Sequence, residues 1–296
     1  MKHIAAFFLA ATVLLLPLHF AQGWGFWAHK QIHRQAVYLM PAPLAPFFRA
    51  NEKFLIDHSV DPDDRRRVDP TEAPQHFIDL DRYGKYPFAT LPHNYDDAVK
   101  KFSDSTVKSN GLVPWRIAGF AAKLTQAFKE KNRSDILYYA ANVGHYIADC
   151  NVPLHATENY DGQLTGQKGI HGRWESEIPE RYMKGYEQMY SNASVYYIAD
   201  KTEESFRWAL ESFSLTDSVL ACDRNARAGL QPEEVMTKTT DSKGRERETF
   251  TPKYYENYKR ELGNMVERRF EQSSLRVASI WYSAWVDAGM PDISGL

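Results

Sequence analysis

The chain has 296 residues, of which 43% are hydrophobic and 25% charged, and its formal net charge is -2. That length and apolar content can build one large core, and the near-neutral balance excludes a protein that holds nucleic acid by basic charge alone. Only two cysteines occur, Cys150 and Cys222, so any zinc site must be built from His, Asp and Glu; the sequence leaves open whether the two thiols pair.

Residues 1–23 read as a secretory signal. Lys2 gives a positive start, Ile4 to Leu18 is apolar but short for a bilayer span, and Ala21-Gln22-Gly23 supplies the small residues of a cleavage site. Cleavage there makes Trp24 the first residue of a mature domain covering 24–296, expected outside the cytoplasm as a soluble monomer. Amphipathic spacing predicts helices over His29 to Met40, Val113 to Lys131 with Pro114 in its first turn, and Ser134 to Cys150, capped by Ser134 and stopped by Pro153. Further helices are expected over Ser176 to Tyr190 and Glu203 to Cys222, and a long one over Tyr254 to Ala288, ended by Gly289 and Pro291. No sustained alternation marks a strand, and the polar segment Glu233 to Thr251 reads as a surface loop. The expected fold is all-α, with long loops at Asp57 to Thr106 and Asn151 to Gly172, a length at which loops of compact domains often carry function.

The mature region holds eight histidines, five of them in suggestive settings. His145 and Asp149 are four apart on an expected helix and so share a face, and Pro153 lets the chain bring His155 back toward them. His171 and Glu175 repeat the four-residue spacing after a polar, glycine-rich stretch. Asp61 and His76 form a third candidate set, with Asp57, Asp63, Asp64, Asp79 and Asp81 competing for the carboxylate role. Trp24 offers a free amine and a carbonyl oxygen as a chelate once the signal is removed, and His29 follows five residues later. Any one of these sets has a bland reading, a solvated ion pair or an apolar anchor. Together they supply too many ligands for one tetrahedral zinc and point to a multinuclear site. The arginine run Arg65-Arg66-Arg67 and Arg173 offer guanidinium groups for phosphate oxygens, although an arginine run more often forms a solvated face.

The order Trp24, His29, Asp61, His76, His145, Asp149, His155, His171, Glu175, with His145-Tyr-Ile-Ala-Asp-Cys-Asn-Val-Pro-Leu-His155 at its centre, resembles the superfamily that joins zinc-dependent phospholipase C to the single-strand-specific zinc nucleases. The resemblance implies an all-α domain of that type holding three zinc ions. Asp61, His76, His145 and Asp149 would hold one, with Asp61 also orienting the attacking water. Trp24 and His29 would hold a second, bridged by Asp149, and His155, His171 and Glu175 the third. The implied activity is hydrolysis of a phosphodiester substrate, either phospholipid or single-stranded nucleic acid. Glu175 resembles the phospholipases, which are slightly preferred, and the glycine-asparagine pair that precedes the last His in the nucleases is absent before His171. The short interval from Trp24 to His29 resembles the nucleases, whose activity would include release of 3'-phosphate. A secreted metal-binding module without turnover is the reading from another class.

Overall fold

The computed structural model describes residues 24–185, 193–240 and 244–296. The expected leader, residues 1–23, and the last residues of the segment expected as a helix at Ser176 to Tyr190 lie outside the described residues; within them that helix already ends at Tyr182. The longer helices are α1 (Phe26–Leu39), α2 (Val113–Glu130), α3 (Arg133–Cys150), α4 (Lys201–Phe213), α5 (Thr216–Arg227), α6 (Pro252–Leu262) and α7 (Met265–Asp287). The fold is therefore helical, as the apolar spacing predicts.

The centre of the molecule is α3. The Asn132 side chain caps it by accepting from the Asp135 N–H, and every residue from Ala140 to Cys150 is buried. A helix buried on all sides lies between others rather than on the surface, and α3 packs against α1, α2 and α7. His145 and Asp149 are consequently interior groups. Gly144 lets α1 approach closely: a Cβ there would lie 2.4 Å from the His33 Nε2. The His33 ring is wedged between the two helices, 2.9 Å from the carbonyl oxygens of both His29 and Ala141. From α7, the Trp281 indole N–H donates to the Ala140 carbonyl, and its ring stacks on Phe48.

Several expectations change in detail. The segment expected as a loop over Asp57 to Thr106 carries the short α-helices Asp61–Arg65, Tyr95–Phe102 and Asp104–Ser109, and the cap expected at Ser134 is Asn132. The segment expected as one helix over Glu203 to Cys222 is α4 and α5, separated at Ser214 and Leu215. The long C-terminal helix is α6 and α7, broken at Gly263, whose φ of 57° lies in the left-handed region that glycine tolerates. The segment expected as a surface loop carries an antiparallel hairpin, β1 (Met236–Thr240) paired with β2 (Glu246–Phe250). Cys150 and Cys222 do not pair: their thiols face the carbonyl oxygens of Ser205 and Glu261. No helix among the described residues is long and apolar enough to cross a membrane.

Candidate metal centre

Residues far apart in sequence converge at the inner end of α3. The ligand atoms of three buried triads each lie within 4.8 Å of one another: His29, His145 and Asp149; Asp63, His76 and His145; and His155, His171 and Glu175. Their positions follow from local structure. The four-residue interval on α3 puts His145 and Asp149 on one face, with their polar atoms 3.2 Å apart. On α1, His29 points the same way; its ring stacks on His145 at 4.0 Å, and its Nε2 lies 3.3 Å from Asp149 Oδ1. His76 closes a short 3-10 turn, Ala73–His76, and brings its Nδ1 to 2.8 Å from Asp149 Oδ2 and 3.1 Å from His145 Nε2. Another such turn, Pro153–Ala156, returns His155, whose Nδ1–H donates to the His76 carbonyl at 2.6 Å. A π-helical stretch, Arg173–Glu177, carries Glu175, with Oε2 2.9 Å from His171 Nε2 and 3.6 Å from His155 Nε2.

The expectation for Asp61 is not met. Its carboxylate accepts from the His58 Nδ1–H at the partly exposed surface. Asp63 takes the expected place, with Oδ1 3.9 Å from both His76 Nδ1 and His145 Nε2. Both residues lie in the helical turn Asp61–Arg65. Two positions along a helix is a rotation of about 200°, so when Asp63 faces inward Asp61 must face out. Asp63 stood among the competing acids of the sequence, but the helical turn that selects it carries no apolar stripe to give its phase. His33, His58 and His93 stay outside the triads; His93 pairs with Glu203 and stacks on Phe206. That pair lies in a separate groove of about 1140 Å³ between the segment 87–97 and α4, which none of the triad residues line.

Trp24 is fully buried, its ring 4.9 Å from that of Trp174. The next residue ties the chain to the third triad: the Gly25 N–H donates to the Glu175 carbonyl at 3.2 Å. A Cβ at Gly25 would meet Ser176 Oγ at 2.5 Å, so this close approach requires glycine.

The electrostatics suit cations. Burial, reinforced by His145, holds His29 down at about 3, and burial holds His171 down at about 4. His76 is also held well below the ordinary imidazole range, chiefly by burial. These rings are neutral near pH 7, the state in which imidazole binds a metal. His145 is raised, because Asp149 and Asp63 outweigh its burial. Asp149 is ionised, since His145 and His155 overcome its desolvation. Burial pushes Asp63 up to about 6 and Glu175 up to about 8. Within this crowd both ring nitrogens of His29 and of His171, with Asp149 Oδ1, His155 Nε2 and Glu175 Oε2, are buried without a hydrogen-bond partner. Unpartnered polar atoms are costly in an interior. Their convergence in His/carboxylate sets fits divalent cations, and the mixture of imidazole and carboxylate suits zinc.

Residues 28–284 match the family described as S1/P1 Nuclease. The chain belongs to the S1/P1 nuclease family. No curated protein matches the sequence individually. In fold this S1/P1 family member is similar to the alpha toxin from Clostridium absonum, at 15% identity and a TM-score of 0.52 over 92% of this chain and 65% of that one. The alpha-toxin of Clostridium perfringens, avian strain SWCP, aligns over the same shares at 13% identity and a TM-score of 0.49. The chain thus spans less than two thirds of the length of these toxin structures.

Proposed function

We propose that this protein is an exported zinc-dependent nuclease acting on single-stranded nucleic acid. The observation that carries the reading is the contiguity of the three triads, two of them sharing His145 and meeting at Asp149, in a chain of the S1/P1 nuclease family. Asp63, His76, His145 and Asp149 would hold one zinc. His29 and Asp149, with the amine and carbonyl of a mature terminus at Trp24, would hold a second, and His155, His171 and Glu175 a third. Zinc ions so held lower the pKa of water and neutralise charge on a phosphoryl group.

The protein's own groups complete the site. Asp149 lies between His29, His76 and His145 and holds the first two sets in register. Asp63, facing the site with Oδ1 3.9 Å from both His76 Nδ1 and His145 Nε2, is placed to orient the attacking water, the role expected for Asp61. Of the four arginines considered, Arg66 is the one at the site: its guanidinium is 3.4 Å from Asp63, its Nε is buried without a partner, and its field lowers both His76 and His171. It is poised to hold a phosphoryl oxygen. Arg67 instead pairs with Asp64 at the surface, and Arg173 is buried against Asp223. Tyr160, exposed and 6.0 Å from the His171 ring, offers a face on which a base can stack.

The likeness in fold to alpha toxin supports phospholipase C-type cleavage as the second reading. The test is product release by protein beginning at Trp24, loaded with zinc, from single-stranded DNA and from phosphatidylcholine vesicles. Cleavage of DNA is expected. Cleavage of lipid alone would replace this reading with the second, and cleavage of neither by zinc-loaded protein would point to a metal-binding module without turnover.

A further inference from the structure

Behind the triad of Asp63, His76 and His145 lies a buried polar network that the reading above does not use. Glu72, 4% exposed, sits one helical turn before His76. Its Oε1 accepts a hydrogen bond from the Tyr146 hydroxyl, and its Oε2 accepts from Arg65 Nε and Arg116 Nη2, each at 3.4 Å. The Tyr146 hydroxyl in turn accepts from Arg65 and Arg116, at 3.1 and 3.0 Å, and Arg65 also donates to Asn142 Oδ1 at 2.6 Å. Three of its members lie close in the chain to a proposed ligand: Arg65 is two residues from Asp63, Glu72 four from His76, and Tyr146 adjacent to His145.

The orientation of His76 gives this network a task. Nδ1 is the nitrogen that faces Asp149 and His145. Nε2 faces the opposite way, has no hydrogen-bond partner, and lies 3.7 Å from Glu72 Oε1. An imidazole that gives one nitrogen to a metal carries its proton on the other, and a carboxylate at that proton fixes the tautomer and makes the ligand more basic. We propose that Glu72 is a positioning residue, a buried carboxylate that holds His76 with its proton on Nε2 so that Nδ1 is offered to the metal. Arg65, Arg116 and Tyr146 hold Glu72 in place, coupling the segments that bear Asp63 and His76 to α3. This inference rests on the metal reading of the triad of Asp63, His76 and His145.

The test compares zinc affinity, by competition with a chromophoric chelator, in wild type, Glu72→Gln and Tyr146→Phe. Glu72→Gln keeps the shape but removes the charge at His76, and is expected to weaken one zinc by about 10–100-fold, the range found when carboxylates behind metal-bound histidines are removed. Tyr146→Phe breaks the same network yet leaves the carboxylate facing His76, and is expected to retain affinity within a few-fold. Equal losses in the two variants would mean the network only supports the fold, and unchanged affinity in Glu72→Gln would also overturn the proposal. A measurement on the zinc-loaded wild type needs no variant: the His76 nitrogen shifts should show Nε2 protonated and Nδ1 metal-bound, and the reverse would overturn it. Wild-type protein that binds no zinc would remove the metal reading itself, whereas tight wild-type binding with no effect of Glu72→Gln removes only the role of Glu72.

Discussion

Replacing Asp63 by Asn is expected to cost at least about 100-fold in activity and to lower bound zinc, since it removes a proposed ligand rather than a group behind one. Replacing Asp61 by Asn should leave both near wild type, because its carboxylate is committed to His58 at the surface. Metal analysis and steady-state rates of the two variants decide between the carboxylates. A loss with Asp61→Asn alone would reverse the assignment. Glu175 gives a pH prediction. Burial raises its carboxyl from the ordinary 4.5 to about 8, so at pH 7 it is protonated in the metal-free fold. A folded-state pKa above the unfolded one means that the fold binds this proton more tightly. The corresponding stability is fully present below pH 4.5 and is lost as pH rises through 8. Zinc must displace the same proton, whereas His29 and His171, depressed to about 3 and 4, are already neutral. Loading zinc at pH 7 in weak buffer should therefore release a proton that is missing in Glu175→Gln. Equal release from both proteins would show that Glu175 is ionised before the metal arrives.

At the scale of elements, the contact between α1 and α3 sets the distance from His29 to Asp149. Gly144→Ala places a methyl 2.4 Å from the His33 ring, which is wedged between two backbone carbonyls and cannot yield. Overpacking of this kind costs about 1–3 kcal/mol, and zinc retention should fall with it. Gly119→Ala, on the exposed face of α2 with nothing near the added methyl, should instead stabilise by about 0.5–1 kcal/mol. Urea unfolding of the two metal-free variants reads the contrast, and equal effects would deny any special role to the α1–α3 approach. The same elements show what was legible beforehand. The apolar spacing of α1, α2 and α3 located each helix to within a few residues, because a core-facing helix writes its period into the chain. The hairpin was missed because its described strand residues are almost all exposed, so Thr, Lys, Arg and Glu alternate with no apolar face to betray the period of two. The breaks inside the two merged helices fall where apolar residues continue across the junction, at Leu215 and Met265. At the site, the four-residue intervals marked His145, Asp149, His171 and Glu175. The choice between Asp61 and Asp63 depends on the phase of a single helical turn, which a run of Asp and Arg residues does not encode.

For the molecule as a whole, the proposed centre would join the start of a mature chain beginning at Trp24 to its interior. Trp24 is buried against Trp174, and Gly25 is bonded to the backbone of Glu175, so the residues that would begin the proposed mature protein are built into the wall of the third triad. Export and assembly of the site would then be one event, because only cleavage before Trp24 frees an amine there. A residue retained ahead of Trp24 turns that amine into an amide, which does not bind zinc at neutral pH. Protein beginning with Met before Trp24 should therefore carry one zinc fewer and lose activity by roughly 100-fold, comparable to the upper range for damaged metal sites. Its stability should fall as well. An ion at a thousand times its dissociation constant stabilises a fold by about 4 kcal/mol, so losing one should lower the melting temperature of the zinc-loaded protein while leaving the metal-free value unchanged. Zinc content by mass spectrometry and paired thermal scans check this together. Equal zinc content and equal melting temperatures would mean that His29 and Asp149 hold their ion without the terminus, and that the burial of Trp24 serves the core alone.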